Sequence, residues 1–132
     1  MARMSGRVDD GLRPLLRLMV PDGNSFLTHI DTGFNGELWF ARADAVTCGV
    51  EFDQVDERVG YLAGMRPVRE TIGQLRILWF GIERVVDVVV DLDSAHRTVS
   101  PDEPMALIGT ALLAPATMTV NFGKRRLTLR GT

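Results

Sequence analysis

Apolar residues run along this chain in short bursts, and the bursts are punctuated by Gly, Pro, Asn and Asp. That pattern predicts many short strands joined by tight turns, not a helical bundle. Residues 12–20 read as a first strand, with Pro14 pushing its start toward a sheet edge. Pro21-Asp22-Gly23-Asn24 reads as a turn, because proline presets one backbone angle while glycine and asparagine accept positive φ. Residues 25–30 are then its hairpin partner. Phe26, Thr28 and Ile30 alternate with Leu27 and His29, so both faces carry apolar side chains and the strand is predicted to be covered on each side. It delivers Asp31 at its end.

Beyond Gly36, residues 37–40 read as a short strand, and residues 41–48 are the best helix-like stretch of the first half, stopping before Gly49. Three strand-like runs follow at 55–62, 68–80 and 82–92, with reversals expected at Gly64 and Gly81. Val86, Val88 and Val90 share one face of the last run. Residues 94–104 are polar and hold Pro101 and Pro104, so they are predicted to be a loop. Met105-Ala106-Leu107-Ile108-Gly109 returns to the sheet, and residues 110–114 can make about one helical turn before Pro115. Residues 117–122 and 125–130 then form a final hairpin across Gly123-Lys124. Residues 1–11 are polar and are expected to be a flexible N-terminal tail, leaving 12–132 as one domain.

Length and charge narrow the function classes. A chain of 132 residues can bury a core without disulfides or metals, but it cannot hold two stacked catalytic domains. The formal net charge is -2 and the signs are interspersed, which argues against nucleic acid or anionic lipid as a partner. Lys124, Arg125, Arg126 and Arg130 therefore read as a solvated face. Cys48 is the only cysteine, which excludes an internal disulfide, and it reads as a small buried apolar residue. His96 lies in a polar loop without a second histidine at metal-ligand spacing and is assigned to the surface. His29 is expected to be packed or hydrogen-bonded, and Trp39 and Trp79 to be core. Residues 1–11 lack the apolar segment of a signal peptide and no later run is long enough to span a bilayer, so a cytoplasmic protein is expected.

The segment that carries chemistry is Phe26-Leu27-Thr28-His29-Ile30-Asp31-Thr32-Gly33-Phe34-Asn35-Gly36, an apolar strand running into a carboxylate, a hydroxyl and a glycine. Alone, Asp-Thr-Gly is better read as an Asx-type turn ending a strand. Some seventy residues later, Ala106-Leu107-Ile108-Gly109 is followed by Thr110-Ala111-Leu112-Leu113 and then by Thr117-Met118-Thr119-Val120-Asn121-Phe122. In combination these elements resemble the retropepsin-like (retroviral-type) aspartic proteases, specifically their single-domain bacterial relatives, over roughly residues 12–129. The resemblance implies an all-β fold: a single-domain closed β-barrel of the retropepsin type with one short helix near the C-terminus. It makes Asp31 the catalytic aspartate, Thr32 a hydroxyl bonding across a dimer, and Gly33 the residue that keeps the approach to substrate open. It matches Ile108 and Gly109 to the hydrophobic-Gly element beside the catalytic loop. Residues 59–69 fall where the family has its substrate-covering flap, with Tyr61, Leu62, Gly64 and Met65 as candidate contacts. Asn121-Phe122 departs from the Asp-Phe common among relatives, and the 94–104 loop is long.

Chemistry then demands a second chain. Water-mediated peptide hydrolysis needs one carboxylate to take a proton and another, still protonated, to give one. Two facing carboxylates resist double ionisation and hold one shared proton. With one Asp-Thr-Gly per chain, the expected enzyme is a homodimeric aspartic endopeptidase that acts on peptides or unfolded protein and needs neither cofactor nor metal. The other reading, from a different class, is a non-catalytic peptide-binding or dimerisation module on the same fold.

Overall fold

The computed structural model describes residues 2–53, 57–61 and 67–131. Its strands are β1 (Arg3–Val8), β2 (Pro14–Met19), β3 (Ser25–Ile30), β4 (Leu38–Ala41), β5 (Arg58–Tyr61), β6 (Pro67–Trp79), β7 (Ile82–Asp91), β8 (Ala106–Ile108), β9 (Thr117–Asn121) and β10 (Arg126–Arg130). Two short helices accompany them, α1 (Arg42–Thr47) and α2 (Thr110–Leu113), where the family resemblance implied one. The strands form one sheet in the order β5-β6-β7-β4-β8-β3-β2-β1-β10-β9, and a further pairing of β6 with β2 closes β6, β7, β4, β8, β3 and β2 into a six-stranded barrel.

Alternation along the strands explains the closure. In β6 the buried positions are Val68, Thr71, Gly73, Leu75, Ile77 and Trp79, and in β7 they include Val86, Val88 and Val90. Of these, Leu75, Ile77, Trp79, Val86, Val88 and Val90 meet Leu16, Leu18, Phe26, Leu38, Phe40 and Ile108 in one core. The Phe26 and Phe40 rings stand 5.4 Å apart and tilted, a favourable aromatic arrangement. Each fully buried side chain of this size stabilises the fold by about 1.5–3 kcal/mol. Leu127 and Leu129 of β10 and Leu112 of α2 complete the same core.

The turn at 21–24 forms as expected: Gly23 takes φ 96, its N–H donates to Val20 O at 3.0 Å, and Asn24 N–H donates to Asp22 Oδ1 at 2.9 Å. Three other expectations change. Arg3–Val8 is not a tail but strand β1, paired along β10 from Arg3↔Arg130 to Arg7↔Arg126 and with β2 at its end. Pro14 does not lie at a sheet edge; β2 has neighbours on both sides, and the proline is tolerated because it is the strand's first residue. Trp39 is half-buried on the outer side of β4, whereas its neighbours Leu38 and Phe40 fill the core. Trp79 is buried as expected. Among the described residues, no helix is long and apolar enough to cross a membrane.

Candidate active site

Strands β3 and β4 are consecutive in sequence but not adjacent in the sheet. Strand β8 lies between them, parallel to β3 at Ile30↔Ile108 and antiparallel to β4 at Leu38↔Ile108. The loop from 31 to 37 must therefore cross the end of β8, and the backbone leaving β8 holds it from below. Asp31 N–H donates to Ile108 O at 2.9 Å, Gly109 N–H to Glu37 O at 3.0 Å, Thr110 N–H to Phe34 O at 2.9 Å and Ala111 N–H to Gly36 O at 3.2 Å. Gly109 is required here: a β-carbon on it would run into the carbonyl oxygens of Gly36 and Phe34 and the Phe34 ring. Ile108 is fully buried. The sequence-predicted elements Asp31-Thr32-Gly33 and Ile108-Gly109 thus meet in one backbone network.

The carboxylate at its head is half-buried, and Thr32 and Gly33 are exposed. Asp31 Oδ1 accepts from Gly33 N–H at 2.9 Å, while Phe34 N–H donates to Asp31 O at 3.1 Å. Asp31 Oδ2 meets no donor among the described residues. The far end of the loop is pinned by Glu37, which accepts from Arg84 Nη2 at 2.6 Å and from Asp87 N–H at 3.0 Å. The pair is partly shielded and the contact with the backbone N–H adds direction, so it anchors the loop to β7.

His29 shares the β3 face of Asp31. It is half-buried, so of the packed and hydrogen-bonded alternatives it is partly packed, and its ring nitrogens have no hydrogen-bond partner among the described residues. Burial pushes its pKa below 6.5 and the Arg13 cation pushes it further down, against the opposing charges of Asp31 and Asp9. Arg13 is oriented by Asp9, its Nε donating to Oδ2 at 2.8 Å and its backbone N–H to Oδ1 at 2.8 Å. That backbone N–H is the main cause holding the Asp9 carboxyl below its ordinary range, with the guanidinium adding to it. Arg13, His29, Trp39, His96, Met105 and Leu107 border a cavity of about 200 Å³. A larger one of about 530 Å³ is also bordered by Trp39, with Pro67, Val68 and Asp91.

Arg13 and Glu37 carried no sequence signal beyond the four-residue spacing of Asp9 and Arg13. Of the flap candidates, Leu62, Gly64 and Met65 lie outside the described residues. For Tyr61 the backbone is described, pairing with Pro67 at the end of the β5–β6 ladder nearest the connection between the two strands. His96 is exposed, its Nε2 3.3 Å from Thr98 Oγ1. Cys48 is half-buried, not fully buried, with Sγ 3.9 Å from Met105 Sδ, and burial followed by the Asp44 charge pushes its thiol up to about 11. Among the described residues no three His, Cys, Asp or Glu side chains converge as a metal site needs. Comparison with protein-family models and with curated proteins finds no match for the chain.

Proposed function

We propose that the chain is one half of a homodimeric aspartic endopeptidase of the retropepsin type, hydrolysing peptide bonds between two Asp31 carboxylates. The observation that carries this reading is the clamped loop: a half-exposed carboxylate with one oxygen fixed by Gly33 N–H and the other unengaged, on a loop bonded at both ends to Ile108–Ala111. A surface turn needs no such foundation. A reactive carboxylate does, because a small misplacement of the reacting group costs rate steeply.

The division of labour follows from proton bookkeeping. Two Asp31 side chains related by a two-fold axis share one proton, and the titration belongs to the pair. The ionised partner takes a proton from water as the oxygen attacks the substrate carbonyl. The protonated partner gives its proton to that carbonyl oxygen, and the same groups then protonate the departing amine. In this reading Thr32, exposed beside the carboxylate, bonds across the axis, and the paired β5 and β6 are the arms of a flap that excludes water.

Strand β9 is the seam we assign to the dimer. It ends the sheet order, and Thr117–Asn121 carries no charge, proline or bulge of the kind that protects a free edge. A two-fold axis would pair β9 antiparallel with its own copy, as an isologous interface requires. The direct test is Asp31→Asn assayed on an unfolded protein substrate at mildly acidic pH. Cleavage is expected to fall to background while the protein still sediments as a dimer; retained cleavage would refute the assignment, and a folded dimer without activity in the wild type would favour a binding module.

A further inference from the structure

His29 and His96 are the chain's two histidines, and both border the cavity of about 200 Å³ beside the Asp31 loop. That volume lies below the range of pockets that enclose a whole small ligand and suits a single side chain. Its walls divide by chemistry. Leu107, Met105 and Trp39 are apolar. His29 brings a half-buried imidazole whose ring nitrogens have no hydrogen-bond partner among the described residues and are open to an incoming group. Arg13 brings a guanidinium whose Nε is held by Asp9 and whose terminal nitrogens meet no acceptor among the described residues. Asp44 also borders the cavity, but both of its oxygens are occupied, accepting from Thr98 N–H at 2.9 Å and Thr98 Oγ1 at 2.7 Å.

We propose that this cavity is a specificity subsite for an acidic substrate side chain, glutamate above all, with its stem against Leu107 and Met105 and its carboxylate on His29 and Arg13. The inference rests on the protease reading of Asp31, since a side chain seated next to His29 belongs to a residue close to the bond held at that carboxylate. An aspartate is a methylene shorter, and a glutamine has the same shape without the charge. The charged groups facing His29 are Arg13 and Asp9 from the β1–β2 connection and Asp31 at the end of its own strand, with His96 and Asp44 across the cavity. A bound carboxylate adds a negative charge to this set and favours the imidazolium, so selection for glutamate strengthens as His29 gains its proton.

The test uses wild-type protein and peptides with a non-cleavable hydroxyethylene link, carrying Glu, Gln or Leu in turn at each position flanking the link. Binding is read by tryptophan fluorescence, since Trp39 borders the cavity. Cleavable versions of the same peptides are assayed in parallel. At one position Glu should bind about tenfold more tightly than Gln near pH 5, the size of a charge-assisted hydrogen bond, with a smaller ratio near pH 7.5. His29→Gln should erase the ratio, and Arg13→Gln should reduce it, in proteins whose melting curves confirm folding. No Glu preference at any position, or one untouched by both substitutions, would overturn the subsite. Absence of cleavage with the Glu preference intact would sink the protease reading and leave the acidic site standing.

Discussion

Gly109 is the residue whose replacement separates position from chemistry. Its β-carbon would collide with backbone oxygens of the Asp31 loop, whereas one on Gly123 would meet only Asn121 Oδ1, at 3.6 Å. Gly109→Ala should cost about 1–3 kcal/mol of stability and most of the activity, with Gly123→Ala as the silent control, both read by denaturant unfolding and peptide cleavage. His29 gives a pH signature. Its folded pKa lies below its unfolded value of 6.5, so between the two the unfolded chain binds more protons, and the contribution present above 6.5 is lost as pH falls through that window. The melting temperature of His29→Gln should therefore gain on wild type between about pH 7.5 and pH 5; a constant difference would contradict the shift. Asp31 and Gly109 were legible because carboxylate and glycine have distinctive roles at a strand end. Arg13 and Glu37 were not, because nothing local marks an arginine or glutamate whose partner is set by the turn or by a strand fifty residues away.

Elements were legible where alternation was strong. The β6–β7 hairpin followed from its valines and Gly81, yet its turn also needs Phe80 at φ 54, which no pattern in the sequence announces. Both central residues then have positive φ, as a two-residue hairpin prefers. Strand β1 was misread because Arg-Met-Ser-Gly-Arg-Val buries only Val8 fully, and pairing with β10, not composition, makes it a strand. Helix α1 has no side-chain cap at its start, and its buried Asp44 instead ties down the 94–104 loop through Thr98. Thr98→Val should cost about 1–3 kcal/mol, since it strips a buried carboxylate oxygen of its hydroxyl donor. Limited proteolysis would report the freed loop as new cleavage within 94–104; an unchanged pattern and melting curve would show that the contact is idle.

At the scale of the whole molecule, local pattern supplied most strands but not their order. Insertion of β8 between β3 and β4 is a long-range choice, made by Ile108 fitting the core between Ile30 and Leu38 while Gly109 passes beneath the loop. The family resemblance anticipated that meeting; composition could not. The free edge of β9 emerges only from the complete sheet order. Thr119 is exposed at the centre of that strand, so Thr119→Lys should leave the circular dichroism spectrum unchanged, shift sedimentation to the monomer and remove activity. A dimer that survives this change would place the seam elsewhere.

The central claim is that each active site contains one Asp31 from each of two chains. Mixing wild-type and Asp31→Asn proteins at constant total concentration, with time for subunits to exchange, tests it most directly. If one intact copy cannot act alone, activity follows the square of the wild-type fraction, and an equal mixture keeps about a quarter of the full rate under random pairing. A linear dependence, with about half the rate retained at equal mixing, would mean that each chain works by itself and would contradict the shared site.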